Sequence, residues 1–236
     1  MTTEVAPNLL SQIAFVENPP FAIVKSICAV LALVLALAGA GYWYRYRPIT
    51  YPPGVLIADE PSQINLPADT PAFQQGAFRL KPLAVFAVDA RVLHRKAYYY
   101  DTQSKLVPVD LALGWGPMSD QRVLDRLSIT QSARFYWYRY PGQPPIPSAE
   151  IISHSTNVHI IPSTPAIASM CKSLRAGSLI RLTGDLVEAS GPGLNSWRSS
   201  LSRTDSGNGA CELMWVKEMS ILTEKEAQDR QAVVKR

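Results

Sequence analysis

No charged side chain interrupts Ser26 to Tyr44, SICAVLALVLALAGAGYWY, a stretch of 19 residues in a chain of 236. At about 1.5 Å per helical residue it reaches about 28 Å, against about 30 Å of bilayer hydrocarbon, so a single spanning helix is predicted over residues 21–47. Lys and Arg are also missing before Lys25, where Glu4 and Glu17 stand instead. A cleaved signal peptide carries cations near its start, so this second absence predicts a retained helix behind a leader, residues 1–20. The stretch ends in Tyr42, Trp43 and Tyr44, with Tyr46 close behind, an aromatic belt of the kind found at headgroup level. Arg45 and Arg47 can snorkel to phosphates, and Pro48 closes the helix. A helix buried on all sides in a soluble core is the alternative reading.

Cysteine and histidine are scarce, three of each. Cys28 lies in the predicted helix, which leaves Cys171 and Cys211 as one candidate disulfide, and such a bond needs an oxidising compartment. Two free buried thiols are the alternative. The cations flanking the helix, Lys25 against Arg45 and Arg47, lean toward a cytoplasmic carboxyl-terminal part. The layout of leader, single helix, proline-rich spacer and one domain is that of exported single-pass proteins, and the exported orientation is expected here. Beyond Tyr44 the chain keeps all its Lys and Arg but Lys25, 22 in number, and 17 Asp and Glu, a net charge of +5. That mild excess favours anionic lipid headgroups as neighbours and is too diffuse to indicate nucleic acid.

Residues 48–82 read as an extended spacer, because Pro48, Pro52, Pro53, Pro61, Pro67, Pro71 and Pro82 let neither a helix nor a central strand run far. Val55, Leu56, Ile57 and Ile64 give it apolar side chains to lay along a domain; a stiff stalk is the alternative. Residues 83–222 read as one α+β domain with no internal repeat. Leu83 to Tyr100 is a long strand or bent hairpin arm, and Ser119 to Leu127 a helix with Ser119 as its N-cap. Arg134 to Tyr140 reads as a strand with Arg134, Tyr136, Tyr138 and Tyr140 on one face. Short helices are expected at Ser148 to Ser153 and, opened by Thr164 and Pro165, up to a stop at Gly177. Leu179 to Glu188, Ser196 to Ser202 and Cys211 to Leu222 then form antiparallel strands, the last with Leu213, Trp215 and Met219 on one parity. The fold expected is α+β: a transmembrane helix, then a mainly antiparallel, barrel-like sheet resembling an oligonucleotide- and oligosaccharide-binding (OB) fold, with two or three short helices. Residues 223–236 form a charged tail.

Four clusters could carry chemistry. His154 and His159 in SHSTNVHIIP miss the i, i+4 spacing of a helical zinc pair, and no neighbouring Cys or Glu completes a set, so no metal or other cofactor is expected. WRSSLSRTDSGNGACE, Trp197 to Glu212, gathers Ser199, Ser200, Arg203, Asp205, Cys211 and Glu212 around a glycine-rich turn. A nucleophile there, Ser199, Ser200 or Cys211, needs a base within hydrogen-bond reach, which His154 or His159 could supply. The bland reading is a hairpin loop with an Arg203–Asp205 pair. Trp115, between two glycines in PVDLALGWGPMSD, is either a binding anchor or a core plug. The Arg134 to Tyr140 strand interleaves arginine with aromatics that could stack bases, but without a clustered basic face nucleic acid is not expected.

LALGWGPMSD, HSTNVHIIP and WRSSLSRTDSGNGACE resemble an uncharacterised family of bacterial proteins with an amino-terminal hydrophobic segment and one domain, over Pro48 to Leu222. The resemblance implies a bacterial inner-membrane, single-pass protein and supplies no activity. Two functions are compatible with the residues. The preferred one is a non-catalytic binding or assembly module in a bacterial envelope, its domain periplasmic, meeting the bilayer and a protein or glycan partner through Trp115, Arg134, Tyr136, Tyr138, Arg203 and Asp205. The other is a hydrolase or transferase built on His154 or His159 with Ser199, Ser200 or Cys211.

Overall fold

The computed structural model describes residues 19–234, apart from 206 and 208; most of the predicted leader therefore lies outside the described residues. The chain divides into two units, Met1–Arg45 and Tyr46–Arg236. In the first, α1 (Pro19–Tyr46) runs unbroken for 28 residues. It is apolar on every side, the apolar window of its span Phe21–Tyr46 is not buried among the described residues, and it is long and apolar enough to cross a membrane.

The second unit is an α+β domain. In chain order it contains β1 (Ser62–Asn65), β2 (Phe73–Gln75), β3 (Phe78–Ala97), β4 (Val109–Gly114), α2 (Gln121–Leu124), β5 (Ser128–Ser132), β6 (Phe135–Arg139), α3 (Ser148–Ser153), β7 (Ser155–Pro162), α4 (Pro165–Ser173), β8 (Leu179–Gly191), β9 (Leu194–Arg198), β10 (Glu212–Leu222) and α5 (Glu224–Val234). Strand β3 pairs antiparallel with β4, β4 with β7, β8 with β10 and β8 with β3, while β7 pairs parallel with β10. The pairings that start at β3 therefore return to it. β1 and β2 attach to β3, β9 attaches to β8, and β5 with β6 forms a separate hairpin.

One face of this circuit is dry. Ala84, Phe86, Val88 and Ala90 of β3 alternate inward against Ile180, Leu182 and Leu186 of β8, with Leu111, Val158, Ile160, Met214 and Val216 from the other strands. Gly184 is the inward residue that must have no side chain, since a Cβ there would lie 2.0 Å from the Trp215 carbonyl oxygen. Helix α4 seals the cluster with Ile167, Cys171 and Leu174, and Thr164 caps it as expected, accepting from the Ile167 N–H at 3.3 Å. The opposite face carries two further apolar clusters. Phe78, Leu80, Ile161, Val187 and Leu213 gather under Trp197 and Trp215, and Leu93, Ala112, Met118 and Ile151 gather under Tyr136, Tyr138 and Tyr140.

Three departures from the sequence reading have plain causes. Ser119 does not cap a helix; its hydroxyl accepts from the Leu56 and Ile57 N–H groups at 3.1 Å, so Asp120 caps instead and only Gln121–Leu124 are helical. Those two bonds also tie residues 55–57 of the proline-rich segment into the domain, with Leu56 and Ile57 in the inner cluster. In β10 the register shifts between Val216 and Glu218, so Leu213 and Trp215 face the outer cluster while Met219 packs on the inner one. The expected common parity of Leu213, Trp215 and Met219 is thereby corrected.

Candidate functional site

The β5–β6 hairpin turns through Ala133 and Arg134, both in the left-handed region (φ 48° and 69°) that asparagine and glycine ordinarily fill in such a two-residue turn. The strained backbone is held by the arginine. Its Nη1 donates to Asp110 Oδ1 at 3.1 Å and to the Val107 carbonyl at 2.9 Å, and its guanidinium lies 3.6 Å over the Tyr98 ring. Asp110, fully buried on β4, also meets His159 Nδ1 at 2.9 Å, and the His159 ring packs on Trp197 at 4.6 Å between centroids. Burial and the nearby Asp110 carboxylate hold the Tyr98 hydroxyl in its neutral form. Beside this cluster Asn157 of β7 accepts from Gln131 Nε2 at 2.5 Å and donates to the Arg134 carbonyl at 3.0 Å, while Gln131 Oε1 lies 3.0 Å from His94 Nδ1. The hairpin is thus fastened to β4 and β7 by buried polar groups as well as by its tyrosines.

Between the hairpin and Asp205, Gly207, Ala210 and Cys211 lies a cavity of about 500 Å³. Phe135, Tyr136, Trp137 and Tyr138 wall one side, Ile152 and Ser155 to Asn157 form the floor, and Asp205, Ala210 and Cys211 stand opposite. A hollow of about 20 Å³ shares Ile152, Ser155, Thr156, Asp205 and Ala210 with it and adds Trp115, Ser202, Arg203 and Glu212. Glu212 opens β10 at 1% exposure. It accepts from the Thr156 hydroxyl, and its Oε1 lies 2.5 Å from Arg203 Nη1. Burial pushes its carboxyl up to about 7, against the pull of Arg203 and the Thr156 hydroxyl. Glu212 therefore lines a hollow that shares five lining residues with the aromatic cleft.

The sequence candidates are distributed as follows. His159 comes within ring contact of Trp197 but faces Asp110; His154 lies 3.0 Å from the Ser153 hydroxyl and 3.1 Å from Glu150 Oε2. Neither histidine hydrogen-bonds Ser199, Ser200 or Cys211. Ser199 donates to the Ser200 carbonyl at 2.7 Å and accepts from the Leu213 N–H at 3.0 Å, and Ser200 donates to Asp205 Oδ2 at 2.6 Å. Burial raises the Cys211 thiol to about 11, the wrong direction for a thiolate nucleophile. Cys171 and Cys211 are free thiols, not a disulfide: Cys171 lies in the inner cluster 3.4 Å from Met219 Sδ, and Cys211 lies 3.5 Å from Asn157 Nδ2 beneath the hairpin. Trp115 is a core plug at 1% exposure, not an exposed anchor, although it borders the hollow. Arg203 pairs with Glu212 rather than with Asp205, and Arg134 belongs to the turn rather than to the tyrosine face of β6.

Tyr136 and Tyr138 do line the cleft, as does Asp205. Thr156, Asn157 and Gln131 escaped the sequence reading. The one signal for Thr156 and Asn157 was polar residues set beside Val158, Ile160 and Ile161, the mark of a strand buried on both faces; Gln131 gave none. Compared with family models, curated proteins and solved structures, the chain matches none.

Proposed function

We propose that the protein is a membrane-anchored, non-catalytic binding or assembly module of a bacterial envelope, held by α1 in the inner membrane with its domain in the periplasm. We further propose that the domain is an OB-like barrel. The strand order around the pairing circuit, β3-β4-β7-β10-β8, and the position of α4 between β7 and β8 support that reading. The fold by itself fixes no function. The observation that carries the binding reading is the cleft: four aromatic side chains in its lining, a buried acid in the adjoining hollow, and nucleophile candidates that are hydrogen-bonded elsewhere or held protonated. Such a cleft suits a protein or glycan partner that lays an apolar or sugar face on Trp137 and Tyr138 and offers a polar group toward Asp205.

The test uses the full chain in lipid nanodiscs with peptidoglycan sacculi as the glycan probe, read by co-sedimentation, and photo-crosslinking from position 135, which also lines the cleft, in cells as the protein arm. Trp137→Ala and Asp205→Ala are each expected to reduce the productive arm about tenfold, in line with the loss of about 1.4 kcal/mol at an aromatic or charged contact. Wild-type signal undiminished in both variants overturns the cleft as the binding site. Turnover of the probe that disappears in His159→Ala overturns the non-catalytic reading. Paired phosphatase and fluorescent-protein fusions at Arg236 test the periplasmic orientation.

A further inference from the structure

Tyr46 is the first residue of the second unit, where the chain that leaves α1 enters it. The Arg95 guanidinium sits 5.5 Å over its ring. Three residues on, Ile49 donates to the Ala176 carbonyl at 2.8 Å, which fastens the incoming chain to the segment just after α4. That same end of the domain carries Lys172, whose Nζ lies 5.4 Å over the Tyr99 ring, and Arg175, whose charge acts on Tyr51. Tyr99 is 64% exposed and Tyr100 is 100% exposed, with ring centroids 6.2 Å apart. Acids near this end are Glu224, which also acts on Tyr51, Asp125, which acts on Arg91 over the Tyr51 ring, Asp120, which is paired with Arg122 at 2.7 Å, and Asp101, which is paired with Arg134 at 3.1 Å.

Tyr99 and Tyr100 offer exposed rings beside a lysine, and tyrosine with lysine or arginine is the pairing that settles at a headgroup layer. We infer that this end of the domain, Arg95, Tyr99, Tyr100, Lys172 and Arg175, is a docking surface for anionic lipid headgroups, which holds the domain against the bilayer it is tethered to. The inference rests on the membrane-anchor reading. Each cation near an anionic surface is worth about a fivefold shift in the docked population, so removing two shifts it about 25-fold. Docking also fixes which way the cleft faces.

The experiment places the full chain in nanodiscs of phosphatidylcholine alone and of phosphatidylcholine with phosphatidylglycerol, and follows amide hydrogen exchange. Residues 99–101 are expected to exchange at least tenfold more slowly in the anionic discs, with β9 (Leu194–Arg198) unchanged as the internal control. The protection is expected to vanish in Lys172→Gln/Arg175→Gln and, without any substitution, in 0.5 M sodium chloride, where the screening length falls to about 4 Å. Equal exchange in both discs overturns the docking surface and leaves the anchor standing. Failure of the chain to enter either disc overturns the anchor and the docking together. Protection that survives both salt and the double substitution overturns the electrostatic basis.

Discussion

Asp110 and Glu212 are both fully buried carboxylates that meet an arginine, and they sit on opposite faces of the sheet formed by β4, β7 and β10. Around Asp110, Arg134 and His159 hold one oxygen, and Tyr98 and Trp197 pack on those partners. Glu212 borders a hollow that shares its lining with the aromatic cleft. The same pair of side-chain types thus serves as a fastener in one place and as the lining of a hollow in the other. What separates them is access, which composition does not reveal.

The contrast can be broken first at the fastener. Arg134→Ala leaves Asp110 buried with His159 alone and frees a strained turn, and a loss of about 3–5 kcal/mol is expected, read as a lowered urea midpoint. Next comes Glu212. The folded chain holds its proton more tightly than the unfolded chain does, so stability is greatest below the ordinary glutamate range near 4.5 and declines as pH rises to about 7. The decline is of order 3 kcal/mol, and Glu212→Gln should flatten it over that window in chemical denaturation at stepped pH. An unchanged slope in the variant would show that another group sets it.

Smaller effects sharpen the same picture. With its thiol raised to about 11, Cys211 should react with iodoacetamide at pH 8 more than a hundredfold more slowly than an ordinary cysteine. Asp120, held near 2 by Arg122 and by backbone N–H groups, works in the opposite sense to Glu212: its stabilisation is full above the ordinary aspartate range and is lost as pH falls toward 2. Ala133→Asn, placing a residue tolerant of φ 48° in the turn, should raise stability by about 0.5–1 kcal/mol while Arg134 keeps its contacts.

The elements legible from sequence were those with one exposed face or none of their surface covered. Helix α1 was plain because charge is absent, α4 because Thr164 and Pro165 open it, and β8 because Ile180, Leu182, Gly184 and Leu186 alternate. Strands β4 and β7 were hidden because both their faces are buried, which erases alternation and leaves LALG and STNVHIIP reading as loop. Of the cleft, Tyr136, Tyr138, Asp205 and Cys211 were within reach, each marked by an unusual local composition. Asn157 and Thr156 were not, because their roles depend on partners 26 and 56 residues away, Gln131 for Asn157 and Glu212 for Thr156.

Strand β3 pairs with β8 across about a hundred residues, Phe86 opposite Gly184 and Arg79 opposite Ser190. The chain through β8 must leave the ribosome before the longest strand finds this distant mate, although β4 can pair with it sooner. Assembly is therefore expected on the millisecond-to-second scale typical of sheets joined by distant segments, with the apolar edge of β3 needing shelter from neighbours until then.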